Sequence, residues 1–440
     1  MILVSSFVEL VQQLSPVMTA PTLESFVTVL TGWVFARRRN VTKMILAADA
    51  VGEKHHSAFH RVFAAAQWSL DGLGLLVFAL ILPWLHEGPI VLAVDDTLAR
   101  KRSRKIAGVG MHHDALLSSR GKAVMNLGHC WVTLGIVVCF PFFPGHWFCL
   151  PVLVRLFRPP KTVAREGGAA ASAPELARQM LCLLCARFPA RRFHLVADGA
   201  YSKSTILKKL PPNAAFTGRM RMDAALSGPP VPPPPHTRGR KPLKGKRLPS
   251  PEQMLADPDA DSETIDLDIY GRRETTRVVR CTARWYGVAG ARPLAIIATA
   301  PLTGKRKPQA FFSTCITAPT RTLLGWYARR WSIEVTFHDT KGHLGFEEPQ
   351  GWTAPAVART APMALLLYGL TVLWFARAGY RTATLPRLPW YLDKRTFSFA
   401  DMHYALTRAY LEDEFQRRLA EGADMRKYAE SLIDRLAMAA

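Results

Sequence analysis

At 440 residues and a net charge of +23, the chain is too long for one ordinary core and too basic to ignore polyanions. Hydrophobic residues at 49% and charged residues at 21% exclude a disordered or low-complexity chain. The excess of Lys and Arg favours a nucleic-acid partner, because basic side chains that neutralise phosphates release condensed counterions. A ribosomal-type or membrane-surface role, or an Arg-rich genomic composition, is the blander source of the same charge.

Residues 1–88 read as helical, with apolar side chains at three- and four-residue spacing (Phe7, Leu10, Val11, Leu14). The basic stretch holding Arg37, Arg38, Arg39 and Lys43 reads either as a helix-turn-helix-like DNA-binding bundle or as a solvated basic face. No secretory signal is expected, since the N-terminus lacks a basic n-region and carries Glu9 in its apolar part. His55, His56 and His60 read as a polar helix face.

Residues 89–96, PIVLAVDD, read as a buried strand ending in two aspartates. His112, His113 and Asp114 read as a solvated loop. Residues 125–157 give two further strands joined by a Pro-rich turn, and 173–188 a helix. RFHLVADGAYS is a strand ending at Asp198, followed by a helix at 202–210 and a strand at 214–220. Strands and helices in this order predict an α/β fold with a mixed sheet, whose strand ends are where such sheets place ligands.

Residues 221–262, rich in Pro and basic side chains, read as an extended mobile loop that packs no core. Residues 264–316 read as β, an insertion before a long helix at 318–343; 361–378 is an apolar helix and the chain from about 380 a polar helical piece. The apolar stretches at 72–85, 124–157 and 362–375 are each too short or too interrupted for a bilayer's roughly 20 residues, so no membrane partner is expected. The seven cysteines, an odd number mostly in apolar runs, suit buried free thiols in a reducing compartment; Cys182 and Cys185 read as helix packing.

The helix near residue 327 carries the sharpest pattern. Tyr327, Arg330, Glu334 and Lys341 lie at offsets 0, 3, 7 and 14, which at about 100° per residue confines them to roughly 60° of one face. The alternative to a functional stripe is a solvated salt-bridge stripe, since Arg330 and Glu334 are spaced i, i+4.

The spacing Y-x2-R-x3-E-x6-K, met here by Tyr327, Arg330, Glu334 and Lys341, resembles the signature of cut-and-paste insertion-sequence transposases of the DDE class. The segments VDDT and VADGAYS resemble that family's two aspartate-bearing strand ends, and PWYLDKRTFSFADMHYALTRA the tail of one of its branches. The resemblance covers about 90 to 410. It implies an α/β, ribonuclease-H-like mixed-sheet core with a β-rich insertion before the catalytic helix and helical N- and C-terminal regions. The expected division is 1–88, a DNA-binding domain; 89–220, the first part of the catalytic core; 221–317, the loop and insertion; 318–378, the second part of the core; and 379–440, the helical C-terminal region.

The resemblance further implies that Asp96, Asp198 and Glu334 are the catalytic and metal-binding residues, holding two Mg²⁺ ions per site, with Mn²⁺ able to substitute. Asp96 is preferred over Asp95 because it precedes Thr97; strand neighbours face opposite ways, so one of the two is the ligand. Tyr327, Arg330 and Lys341 would contact phosphates at the element end, and Trp331 an unpaired base or, as the commoner outcome for such a residue, the helix's own packing. The implied partners are double-stranded DNA at inverted repeats and target, and a second copy of the chain in the DNA complex. The place of action would be the cytoplasm, on a bacterial nucleoid. The rival readings are a structure-specific nuclease, a catalytically silent DNA-binding protein derived from a transposase, and a membrane-associated protein.

Overall fold

The computed structural model describes residues 4–119, 121–231, 242–269, 272–303, 306–386, 389–390 and 392–439. Five helices come first: α1 (Ser5–Gln12), α2 (Ala20–Phe35), α3 (Val41–Ala47), α4 (His56–Ala64) and α5 (Leu70–Ile81). Side-chain caps from Asn40 and Ser69 start α3 and α5. Strands and helices then alternate: β1 (Ile90–Arg100), β2 (Gly110–His113), β3 (Met125–Val138), β4 (Phe148–Phe157), α6 (Pro160–Glu166), α7 (Ala173–Arg187), β5 (Phe193–Ala197), α8 (Ser204–Leu207) and β6 (Ala214–Met220). A two-residue pair, β7 (Leu226–Ser227) and β8 (Arg247–Leu248), and α9 (Pro251–Ala256) lead into β9 (Ser262–Ile269), β10 (Arg272–Ala283), α10 (Tyr286–Ala289), β11 (Leu294–Pro301) and β12 (Gln309–Ser313). The chain finishes in α11 (Thr320–Arg329), α12 (Trp331–Leu344), α13 (Ala354–Arg377), α14 (Phe399–Ala420) and α15 (Met425–Ala439).

Among the described residues, ten strands form one mixed sheet in the order β2-β3-β1-β5-β6-β12-β11-β10-β9, with β4 paired to β3 on the edge that also carries β2. Among the described strands of this sheet, β1, β5 and β6 run parallel to one another, and the other pairings are antiparallel. The β-rich segment before α11 thus extends the central sheet through β12 and β6.

One hydrophobic core runs from Phe7 to Leu406. The first five helices share it with the later ones. Gly32 of α2 approaches α3 so closely that a Cβ there would lie 1.8 Å from the Met44 carbonyl oxygen. Trp33 donates to the Leu344 carbonyl at 2.9 Å, and Arg359 of α13 donates to the carbonyls of Phe63, in the last turn of α4, and of Ala66 and Trp68 beyond it. Arg37 and Arg38 are exposed as expected, but half-buried Arg39 binds the His343 carbonyl and Glu348.

Several segments depart from the sequence reading; the helix expected at 202–210, for one, shortens to α8. β1 continues through the aspartates to Arg100, because the 14-residue β3 keeps its ladder going on that side. The flanks of the Pro-rich stretch do pack: Ala224, Leu226 and Met254 are buried in the core, and Ser250 forms a capping box with Gln253; residues 232–241 lie outside the described ones. The expected apolar helix at 361–378 starts earlier, so α13 reaches 24 residues. It is long and apolar enough to cross a membrane, yet 89% of its most apolar window is buried inside the protein.

Candidate active site

β1 and β5 are neighbours in parallel, and their last register pair is Val94 with Ala197. Asp95 and Asp198 are the next residue on each strand, so they emerge side by side from strands about 4.8 Å apart. On its other side β1 stays paired: Asp95 lies opposite Thr133, and Asp96 opposite Val132. The pleat then sends the two aspartates to opposite faces of the sheet.

Asp95 faces α12. Its Oδ2 accepts from Nη1 of Arg330 at 2.7 Å, while Nη2 of the same guanidinium donates to Oε1 of Glu334 at 2.8 Å. Across one planar fork, these carboxylate oxygens are no more than about 8 Å apart. Arg330 is only 7% exposed, and its Nε has no hydrogen-bond partner. Burial pushes the Asp95 carboxyl up to about 7; Arg330 pulls against this, and the charges of Asp96 and Asp198 add to it. Burial also works against the charge on Arg330, but Asp95, Tyr327 and Glu334 hold its guanidinium above its ordinary value.

Asp96 looks the other way. The Tyr201 hydroxyl donates to its Oδ1 at 2.7 Å, and the Cys130 thiol to its Oδ2 at 3.3 Å. Burial, followed by the Asp96 charge, pushes both the hydroxyl and the thiol upward. Asp198 is half-buried and accepts from the Ala200 backbone N–H at 2.8 Å. The site therefore brings Asp95, Asp198 and Glu334 to one region. It places Asp96, the choice made from the Thr97 motif, beside Tyr201 and Cys130 instead. Tyr201 belongs to the VADGAYS segment but has no role in its motif, and nothing in the sequence marks Cys130.

The residues spaced along α11 and α12 do share a face, and that face looks inward. The helix is interrupted at Arg330, where Arg330 N–H bonds Tyr327 O and Ile333 N–H bonds Arg330 O, both three residues apart. Tyr327 is buried against Phe311, ring centroids 4.7 Å apart. Lys341 donates to the Leu98 carbonyl of β1 at 2.8 Å and pairs with Glu347. Thr336 donates to the Cys149 carbonyl, pinning α12 to β4. Gly345 ends α12 in the left-handed region at φ 60°, where a Cβ would meet Glu348 at 2.7 Å. The solvated salt-bridge stripe is thus corrected in part: the ion pair exists, with Arg330 buried and Glu334 half-buried.

Two grooves flank this face. One, of about 810 Å³, runs between His146 and Trp147, Asp268 of β9, and Arg329 and Trp331; Arg329 stacks on Trp147 at 3.6 Å. Trp331, whose commoner fate was packing under the helix, stands 44% exposed on it. The other, of about 680 Å³, gathers Arg38, Arg100, Lys101 and Arg102 beside the exposed Trp352. Asp114, expected in a solvated loop, is buried: Arg100 binds it through Nε and Nη2, and Asn126, Leu116 and Leu117 also donate to it.

Among the described residues, no three His, Cys, Asp or Glu side chains stand close enough to hold a metal ion as placed. The donor chemistry of Asp95, Asp198 and Glu334, all carboxylate oxygens, fits a hard divalent cation. The seven cysteines are free thiols.

The model for the family described as DDE superfamily endonuclease matches residues 14–284, more than half of the chain. That span contains Asp95, Asp96 and Asp198 and ends before Glu334. No curated protein matches the chain. Among solved structures, a cryo-EM structure of a piggyBac transposase synaptic complex with hairpin DNA is similar at 10% identity and a TM-score of 0.45, covering 95% of this chain and 76% of that one.

Proposed function

The chain belongs to the DDE superfamily endonucleases, and from that premise we propose that it is a DNA transposase that cleaves phosphodiesters at element ends and transfers the freed strand into target DNA. The observation that carries the reading is the convergence of Asp95 and Asp198, side by side past two parallel strand ends, with Glu334 across the Arg330 fork. A ribonuclease-H-like core accounts for that convergence. The spacing of Tyr327, Arg330, Glu334 and Lys341 adds the resemblance to cut-and-paste insertion-sequence enzymes.

Asp198, Glu334 and one of Asp95 or Asp96 would hold two Mg²⁺ ions, or Mn²⁺ in their place; geometry favours Asp95, the Thr97 motif Asp96. Such ions, when bound, activate the attacking oxygen and stabilise the leaving one. The chain's own residues position: β1 and β5 fix the aspartates, and Thr336 and Lys341 fasten α12 so that Glu334 faces them. The two grooves, with exposed Trp331 and Trp352 and several arginines, suit double-stranded DNA with a base turned out onto an indole. Two ends must be held together, so a dimer is expected in the complex, acting in the cytoplasm on the nucleoid.

The test is a strand-transfer assay with precleaved ends and Mg²⁺. Joining to target DNA is the expected result. Cleavage without joining would leave the structure-specific nuclease, and binding without either reaction the silent DNA-binding protein.

A further inference from the structure

Arg330 sits where a cation belongs. One guanidinium fills the space between Asp95 and Glu334 at 2.7 and 2.8 Å, buried, with its Nε unsatisfied. A magnesium ion needs carboxylate oxygens at about 2.1 Å, and a guanidinium and a dication cannot share the same two oxygens without repulsion. The junction that carries Arg330 is also the weak point of the helix pair, held by three-residue bonds on either side. Tyr327, whose ring lies 5.8 Å from the guanidinium carbon, borders it on the other side.

We propose that Arg330 is a positioning residue: it holds Asp95 and Glu334 in register before a divalent cation arrives, and releases at least one of them when the cation binds. The inference rests on the metal-dependent reading above and deepens it. Its consequence is that the site is pre-assembled at the cost of affinity, since part of the cation's binding energy goes into displacing the fork.

The experiment is Mn²⁺ binding to the full chain without DNA, by calorimetry and by the spin signal of free Mn²⁺, together with melting temperature in chelator and in Mn²⁺. Arg330→Gln is expected to bind Mn²⁺ about tenfold more tightly than the parent, to melt lower in chelator, and to recover in Mn²⁺. Arg330→Lys keeps the charge but cannot span both carboxylates, so its affinity should fall between the two. A residue needed only for structure predicts weaker or unchanged binding in both variants, and that result overturns the proposal. Should Arg330→Gln not fold, the lysine variant decides on the same criterion. Glu334→Gln and Asp198→Asn separate the two levels of the argument. If they weaken Mn²⁺ binding while the Arg330 variants do not tighten it, the metal site stands and the role of Arg330 falls. If they leave Mn²⁺ binding unchanged, the metal-dependent reading itself fails.

Discussion

β1 carries an aspartate–arginine pair near each of two places along its length, and they are built differently. At its far end, Arg100 grips Asp114 through two nitrogens, and Asn126 and two backbone N–H groups fill the remaining lone pairs. Five residues earlier, Asp95 takes one nitrogen of Arg330, shares that arginine with Glu334, and leaves Nε unmatched. The hydrogen bonds from Arg100 hold the Asp114 carboxyl well below the usual range, whereas burial pushes Asp95 to about 7. A saturated pair fastens the fold; an under-coordinated one is a site with capacity to bind something else.

The largest effect expected from breaking this contrast is on chemistry. Glu334→Gln and Asp198→Asn should reduce cleavage to background while DNA binding persists, because a neutral amide is a poor cation ligand and binding rests on distributed charge. A gel assay of binding beside cleavage reads both, and a variant that cleaves at the parent rate would end the assignment. Asp114→Ala should do the reverse, costing about 2–3 kcal/mol of stability through stranded buried donors with Mn²⁺ affinity unchanged. Denaturant melts and calorimetry on one preparation check it.

The two aspartates should also respond to pH with opposite sign. Asp95 has a raised folded pKa, so ionising it costs stability: its contribution is favourable when protonated, below its unfolded value near 4, and is lost as pH rises toward about 7. Asp114 has a depressed folded pKa, so its contribution is present above the unfolded value and lost as pH falls through the folded one. Carboxyl NMR titration of the metal-free chain should find Asp95 titrating near 7 and Asp114 below the ordinary range. Two ordinary titrations would erase the distinction.

Smallest of all is Tyr201→Phe. It removes the hydroxyl bonded to Asp96 and should cost about 1 kcal/mol. If Mn²⁺ affinity is unmoved, Asp96 belongs with the fastening residues; a clear change in affinity would return it to the site and restore the sequence-based choice over Asp95.

That choice shows where sequence reasoning ran out. The alternation of a strand announces that Asp95 and Asp96 part company, but not which of them meets α12, since that depends on the face the helix packs against. β3 to β6 and α7 lie close to their expected positions because long apolar runs and turn residues mark them. β2 went unread because four residues, two of them histidine, carry no period. The burial of Asp114 was hidden because its partners, Arg100 and Asn126, come from separate strands. The inward turn of the stripe from Tyr327 to Lys341 was equally hidden: spacing fixes which side chains share a face, and only packing decides whether that face meets water.

The strands before α11 continue the ladder of β6 through β12, β11 and β10 to β9 without a break. An appendage on a flexible stalk could swing down over a bound molecule; this one is braced like the outer span of a bridge deck. Lowering it would mean tearing backbone hydrogen bonds along a whole strand. The wall of the groove that carries Asp268, opposite Trp147, is therefore held in place by the sheet.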